Sequence, residues 1–497
     1  MSKAYEQLKT YLDRAMAIKT AMTLFEWDNE TLAPKEAGEL TSNVIGILSG
    51  EYFQTVTDDE VKKLIKKCQK EDLDQVEAAN VRELAEELEQ LDCIPQDEYE
   101  ANARLVAKAA AVWAKAKEAK DFEAFAPTLE KVIDFQKKFA SYRAKKGQNL
   151  YDVMLDTYEK GFDMENLDQF FGLLKKELVP FLKKVQEEGR QIEDGFLTGD
   201  YPEPDQEKLA KFLAEYVGFE FDKGVLAVSA HPFTTNLHNK DVRITTHYSD
   251  HVDSSLFSVI HEAGHGIYEL GIRDDLTLTP VGQGASMGMH ESQSRFFENI
   301  IGRNPAFWEP IYGKVQEMFP KQLGKVSLEQ FVEAVNKVEL GLIRTEADEL
   351  TYSLHVLIRY EIERQLMAGE LDVKDLPQVW ADKYEEYLGI RPENTAEGVL
   401  QDIHWSQGSF GYFPSYALGS AFGAQLYYYM KDKMDFDGLL RDGKVDVIRQ
   451  FLRENIHQYG KLKNSRQILK DVTGEDFNPE YYVRYLKEKY GEIYGVK

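Results

Sequence analysis

The chain has 497 residues, with 60 Lys and Arg against 86 Asp and Glu and a formal net charge of −26. Such an excess of negative charge repels a phosphate backbone or an anionic membrane surface, which argues against nucleic-acid and membrane partners. Hydrophobic residues make up 43% of the chain and exclude wholesale disorder, while Cys68 and Cys93 are too few for a disulfide framework or a thiolate metal site.

The first residues, MSKAYEQLKTYLDRAM, are mixed in charge and amphipathic, with none of the apolar core of a signal peptide. No apolar run approaches the roughly 18–20 residues that span a bilayer. The expected location is therefore cytoplasmic. Apolar spacings of three and four predict helices over 76–91, 97–119 and 129–145, their other faces dense in Glu and Lys. Residues 194–204, DGFLTGDYPEP, read as a connector. After it the short β-branched stretches 224–229 and 241–248 predict a small hairpin or sheet. Helices resume near Asp253 and continue, through a long one expected over 338–367, to the C terminus.

Histidine is distributed unevenly. Residues 1–230 contain none, and nine of the ten histidines lie between His231 and His404. Imidazole is the side chain best suited to binding metals and moving protons near neutral pH, so this stretch is the place to look for chemistry.

The densest signal there is His261-Glu-Ala-Gly-His265. Residues four apart on a helix share a face, so both imidazoles can approach one metal ion. The apolar stripe Leu256, Phe257, Ile260, Ala263 and Ile267 argues independently for a helix, with Asp253 and Ser254 as caps and Gly271 at its end. Glu262 lies about 100° around that helix, where it can take a proton from a water without binding the metal. A catalytic zinc also needs a third protein ligand and one open position. Glu269 lies a turn too far along, and Glu298 is possible. Glu291, in His290-Glu-Ser-Gln-Ser, follows His265 by 26 residues on what reads as the next helix. An antiparallel return would set it opposite the histidine pair, so it is favoured, an exposed pair with Arg295 being the blander reading.

The long helix is expected to carry Arg344, Asp348, Thr351, His355 and Arg359 along one stripe. Arg344 then either pairs internally with Asp348 or offers a guanidinium to a peptide carboxylate. Further on, GVLQDIHW (398–405) and GYFPSY (411–416) set His404, Tyr412 and Tyr416 in a Gly-rich, loop-like context. Aromatics there are more often core, but an imidazole or phenol near a metal could polarise a carbonyl and stabilise its oxyanion.

Taken in order, HPF (231–233), DVRIT (241–245), HEAGH (261–265), HESQS (290–294), IRTEAD (343–348) and GVLQDIHW (398–405) resemble the motif series of the M32 metallocarboxypeptidases. Phe25-Glu-Trp-Asp28 extends the resemblance toward the start of the chain. It implies a mainly α fold, with two helical lobes around a deep substrate groove and a small β-sheet near the zinc site. The whole of 1–497 would form one peptidase domain, 1–200 shaping the groove and 201–497 holding zinc and substrate. It further implies removal of single residues from peptide C termini, with broad specificity and a poor response to proline, by a homodimeric enzyme. Zn2+, for which Co2+ can substitute, would be held by His261, His265 and Glu291, with Glu262 as general base. Arg344 would hold the free C-terminal carboxylate of the peptide. By looser analogy with related peptidases, His231, His404, Tyr412 and Tyr416 would contact the substrate, and the 241–245 strand could pair with an extended peptide.

Other readings fare less well. A di-iron bundle would use Glu262-Ala-Gly-His265 with Glu454-Asn-Ile-His457, but the apolar face of that second helix is expected to turn His457 outward. A non-catalytic scaffold has no use for Glu262 beside its metal ligands. The serious alternative is an HExxH endo-oligopeptidase or dipeptidyl carboxypeptidase, which product length would distinguish.

Overall fold

Helices account for most of the chain, as its apolar spacings require, and the computed structural model describes residues 2–496. The three helices expected over 76–91, 97–119 and 129–145 occur as Gln75–Asp92, Gln96–Ala119 and Ala126–Arg143. Among the described residues, no helix is long and apolar enough to cross a membrane.

Two compact units are present, each assembled from separate stretches of chain. The first takes in the chain up to Asp92, Glu193–Val335 and Leu426–Asp476; the second takes in Cys93–Ile192, Asn336–Gln425 and the chain from Phe477 onward. In the first unit, helices Lys3–Thr31, Asp59–Cys68 and Gln75–Asp92 enclose an apolar cluster that includes Tyr5, Leu8, Leu12, Val61, Leu64 and Leu84.

The same unit contains three short strands, β1 (Gly224–Val228), β2 (Thr234–His238) and β3 (Asp241–Thr246), in the order β1-β3-β2. β1 runs parallel and β2 antiparallel to β3. This corrects the expectation that residues 241–245 could pair with a peptide. Their strand has a neighbour on each side, so its backbone groups are already engaged.

The HEAGH helix, Val252–Leu270, follows β3 and buries Leu256, Phe257, Ile260, Ala263 and Ile267 as its stripe predicts. His251 occupies the N-cap position without a side-chain capping bond, and Asp253 falls inside the first turn. Helix Met287–Arg295 comes next, capped by Ser286, and its last turn widens into a π-helical segment, Phe296–Ile301. Such single-turn widenings are common at functional sites. A Cβ on Gly264 would come within 2.8 Å of Ser294 Cα, so only glycine permits this approach between the two helices.

Two expectations need correction. The long helix begins at Glu349, not near residue 338, because Asp348 caps it by accepting the backbone N–H groups of Leu350 and Thr351. Arg344 therefore lies before it, in a short 3-10 turn. At the other end of the chain, helix Val445–Asn455 stops before His457, which is fully buried with Nε2 2.8 Å from Gln293 Oε1. Glu454 is exposed. The di-iron pairing thus fails because its two groups point into different environments, not because His457 faces outward.

Candidate active site

His261 and His265 project from one face of the HEAGH helix toward Glu291 on the following helix. Their Nε2 atoms lie 3.8 and 3.5 Å from Glu291 Oε2. One ligand atom from each of the three residues can be chosen so that all lie within 4.8 Å of one another. Two imidazole nitrogens and one carboxylate oxygen match the donor set of an open zinc site. The outer nitrogens are occupied, which aims the inner ones at a common point: His261 Nδ1 is 2.8 Å from Glu298 Oε2, and His265 Nδ1 meets His290. The residues present fit a divalent metal.

Glu298, one of the three acidic candidates, thus stands behind His261 rather than beside His265. Arg295 donates to both carboxylates, 2.8 Å to Glu291 Oε1 and 3.1 Å to Glu298 Oε2. The pair with Arg295 exists, but it is largely shielded from solvent rather than exposed, and it supports the site. Burial opposes ionisation of Glu291, yet Arg295 and the imidazoles hold its carboxyl well below the usual carboxylate range. Burial pushes the His265 imidazole down to about 3, which keeps it neutral as a metal ligand must be. For His261 burial is outweighed by the Glu291 and Glu298 charges, and its pKa is raised.

Glu262 is buried, and burial raises its pKa. Thr234 on β2 donates its hydroxyl to Glu262 Oε2 at 2.6 Å. Thr234 follows directly on the HPF motif, and only the strand that carries it shows that the two meet. Gly264→Ala should push the HEAGH helix off the helix bearing Glu291 and lower metal stoichiometry; a variant that retains one metal per chain would contradict this close-approach requirement.

A second polar cluster lies within the other compact unit. Arg344 is 5% exposed and pairs with Asp402 Oδ1 through Nε at 3.1 Å and Nη2 at 2.9 Å, not with Asp348. The other Asp402 oxygen accepts from Arg359 Nε at 2.7 Å. Gln401 Oε1 accepts both the Arg344 backbone N–H and Arg359 Nη2, so the QD pair of GVLQDIHW holds both arginines. Arg344 lies over the Tyr416 ring at 4.8 Å, and His404 Nε2 lies 3.3 Å from the Tyr416 hydroxyl. Tyr412 stacks edge-on against Tyr416 at 5.2 Å. Burial lowers the His404 pKa to about 4. His231, in contrast, is exposed on the connection between β1 and β2, in the unit that holds the histidine pair. The structure therefore gathers His261, Glu262, His265 and Glu291 into one site and Arg344, His404, Tyr412 and Tyr416 into another cluster.

Comparison with known proteins gives this geometry a family. The model of the carboxypeptidase Taq (M32) metallopeptidases matches residues 7–490. The chain belongs to the M32 metallocarboxypeptidases. It is 43% identical to Carboxypeptidase 1 of Bacillus subtilis, over 97% of both chains. It is 35% identical to Thermostable carboxypeptidase 1 of Thermus thermophilus, over 99% of each. Among solved structures, a Pyrococcus furiosus carboxypeptidase aligns with a TM-score of 0.95 at 37% identity, covering 99% of each chain. This M32 chain is accordingly a metallocarboxypeptidase, a peptide hydrolase that uses a divalent metal.

Proposed function

We propose that this M32 enzyme is a zinc-dependent carboxypeptidase that releases single C-terminal residues with broad specificity and a poor response to proline. The observation that carries the reading is the convergence of His261 Nε2, His265 Nε2 and Glu291 Oε2, with Glu262 adjacent. His261, His265 and Glu291 hold Zn2+, or Co2+ in its place, since both accept this N/N/O donor set. When bound, the metal supplies a Lewis acid that polarises the scissile carbonyl and makes water nucleophilic near neutral pH. Glu262 takes the proton of the attacking water and delivers it to the departing amine, and its raised pKa suits both transfers. Thr234 orients the carboxylate through Oε2, leaving Oε1 for the proton.

Arg344 holds the free carboxylate of the peptide. Two guanidinium groups share the carboxylate of Asp402, burial pushes the Glu363 carboxyl near Arg359 up to about 7, and His404 is neutral, so an incoming anion would meet a cluster short of negative charge. His404, Tyr412 and Tyr416 contact peptide carbonyls or the developing oxyanion, and His231 contacts the chain on its exposed side. A homodimer is the working state we infer from the family resemblance, and a cytoplasmic location the one we infer from the acidic, cysteine-poor composition.

Metal content tests the ligand set. Glu291→Ala should lose most of its zinc, whereas Glu298→Gln, which keeps an acceptor for His261, should retain more. The reverse order would assign the third ligand to Glu298. Zinc occupancy should also fall with pH, because protons compete for His261 through its raised pKa, above the ordinary value of about 6.5.

A further inference from the structure

The two metal-facing imidazoles are backed differently. His261 meets a carboxylate directly, whereas His265 meets a second imidazole, whose far nitrogen meets a carboxylate: His290 Nδ1 lies 2.5 Å from His265 Nδ1, and His290 Nε2 lies 2.8 Å from Glu269 Oε1. We propose that His290 and Glu269 form a positioning pair that fixes the ring orientation and tautomer of His265 for metal binding. The inference rests on the metal reading given above.

With His290 as a neutral imidazole, the hydrogen-bond directions follow in one sense only. Glu269 is 3% exposed, and both of its oxygens already accept: Oε1 from the Gly284 N–H at 3.0 Å and Oε2 from the Asn236 amide. Its bond with His290 must therefore use the proton of His290 Nε2. His290 Nδ1 then offers a lone pair, which only a protonated His265 Nδ1 can satisfy. That leaves the lone pair of His265 on Nε2, the atom 3.5 Å from Glu291. A carboxylate at one end of the relay thus dictates which nitrogen faces the metal at the other.

The His290 ring is held as well as hydrogen-bonded. The Tyr268 ring lies 5.3 Å away on one side. On another, a Cβ at position 284 would come within 2.6 Å of His290 Cδ2, so only glycine leaves room for the ring there. Gly284 therefore serves twice, by its N–H to Glu269 and by its missing side chain.

Zinc affinity measured by competition with a chromophoric chelator tests the pair without recourse to activity. The variants are His290→Leu, which fills the space but cannot accept, His290→Gln, which can accept, and Gly284→Ala, which displaces the ring. His290→Leu should bind zinc about 10–100-fold more weakly than the wild type. His290→Gln should recover most of that loss, Gly284→Ala should show part of it, and the metal-free thermal midpoints should stay close together. If His290→Leu does not fold, the other two variants carry the test. Wild-type affinity in His290→Leu, or equal weakness of the Leu and Gln variants, would overturn the inference. A wild type that takes up no zinc would instead overturn the metal centre, and the inference with it.

Discussion

Glu262→Gln should lower kcat by roughly 10²–10⁴-fold while leaving one zinc bound per chain. The substitution is nearly isosteric, and Gln can still accept the Thr234 hydroxyl, so packing around the buried side chain should persist. What disappears is the proton acceptor beside the metal site. Glu262 is not one of the three residues whose ligand atoms converge, which is why metal content and turnover should separate in this variant. Steady-state kinetics with metal analysis on the same preparation checks it. Turnover close to that of the wild type would require another base, and loss of zinc together with activity would make Glu262 a ligand.

Arg344→Ala should raise KM by about 10–100-fold, the value of one or two hydrogen bonds to a charged group. It should also erase the preference for a free over an amidated C terminus. The variant should fold, because Asp402 keeps its bond from Arg359 when Arg344 is removed. Arg344→Lys should fall between, since it retains the charge but not the planar fork. In the wild type, Nη1 carries a single long contact, 3.4 Å to the Tyr352 hydroxyl, and so has donor capacity to spare. Equal hydrolysis of free and amidated peptides by the wild type would defeat the assignment.

Local patterns proved legible in proportion to how local their causes are. The helices Gln75–Asp92 and Val252–Leu270 follow from apolar stripes that need no partner to be seen. The spacing of His261, His265 and Glu291 was equally readable, because a helix and a short return decide it. Pairing across longer separations was not. β3 reads as an available edge until β1, which precedes it by a connection through β2, is found paired to its other side. Asp348 shows how a single cap can override periodicity: its carboxylate starts the helix and leaves Arg344 free of the stripe to meet Asp402, 58 residues away. His457 shows the converse, since the apolar rhythm of Val445–Asn455 says nothing about a side chain beyond the helix end. The support of the metal site was the least visible part. Glu298, His290, Glu269 and Thr234 each sit in readable motifs or near them, but their roles depend on which nitrogen or oxygen each one meets.

Mass-spectrometric product analysis of an N-terminally blocked peptide, run with a chelator and again after zinc is restored, tests the central claim most directly. The account predicts a ladder shortened by one residue at a time from the C terminus, stopped by the chelator, resumed with zinc and stalled at proline. Internal fragments, dipeptide release, or an unchanged ladder in the presence of the chelator would contradict it.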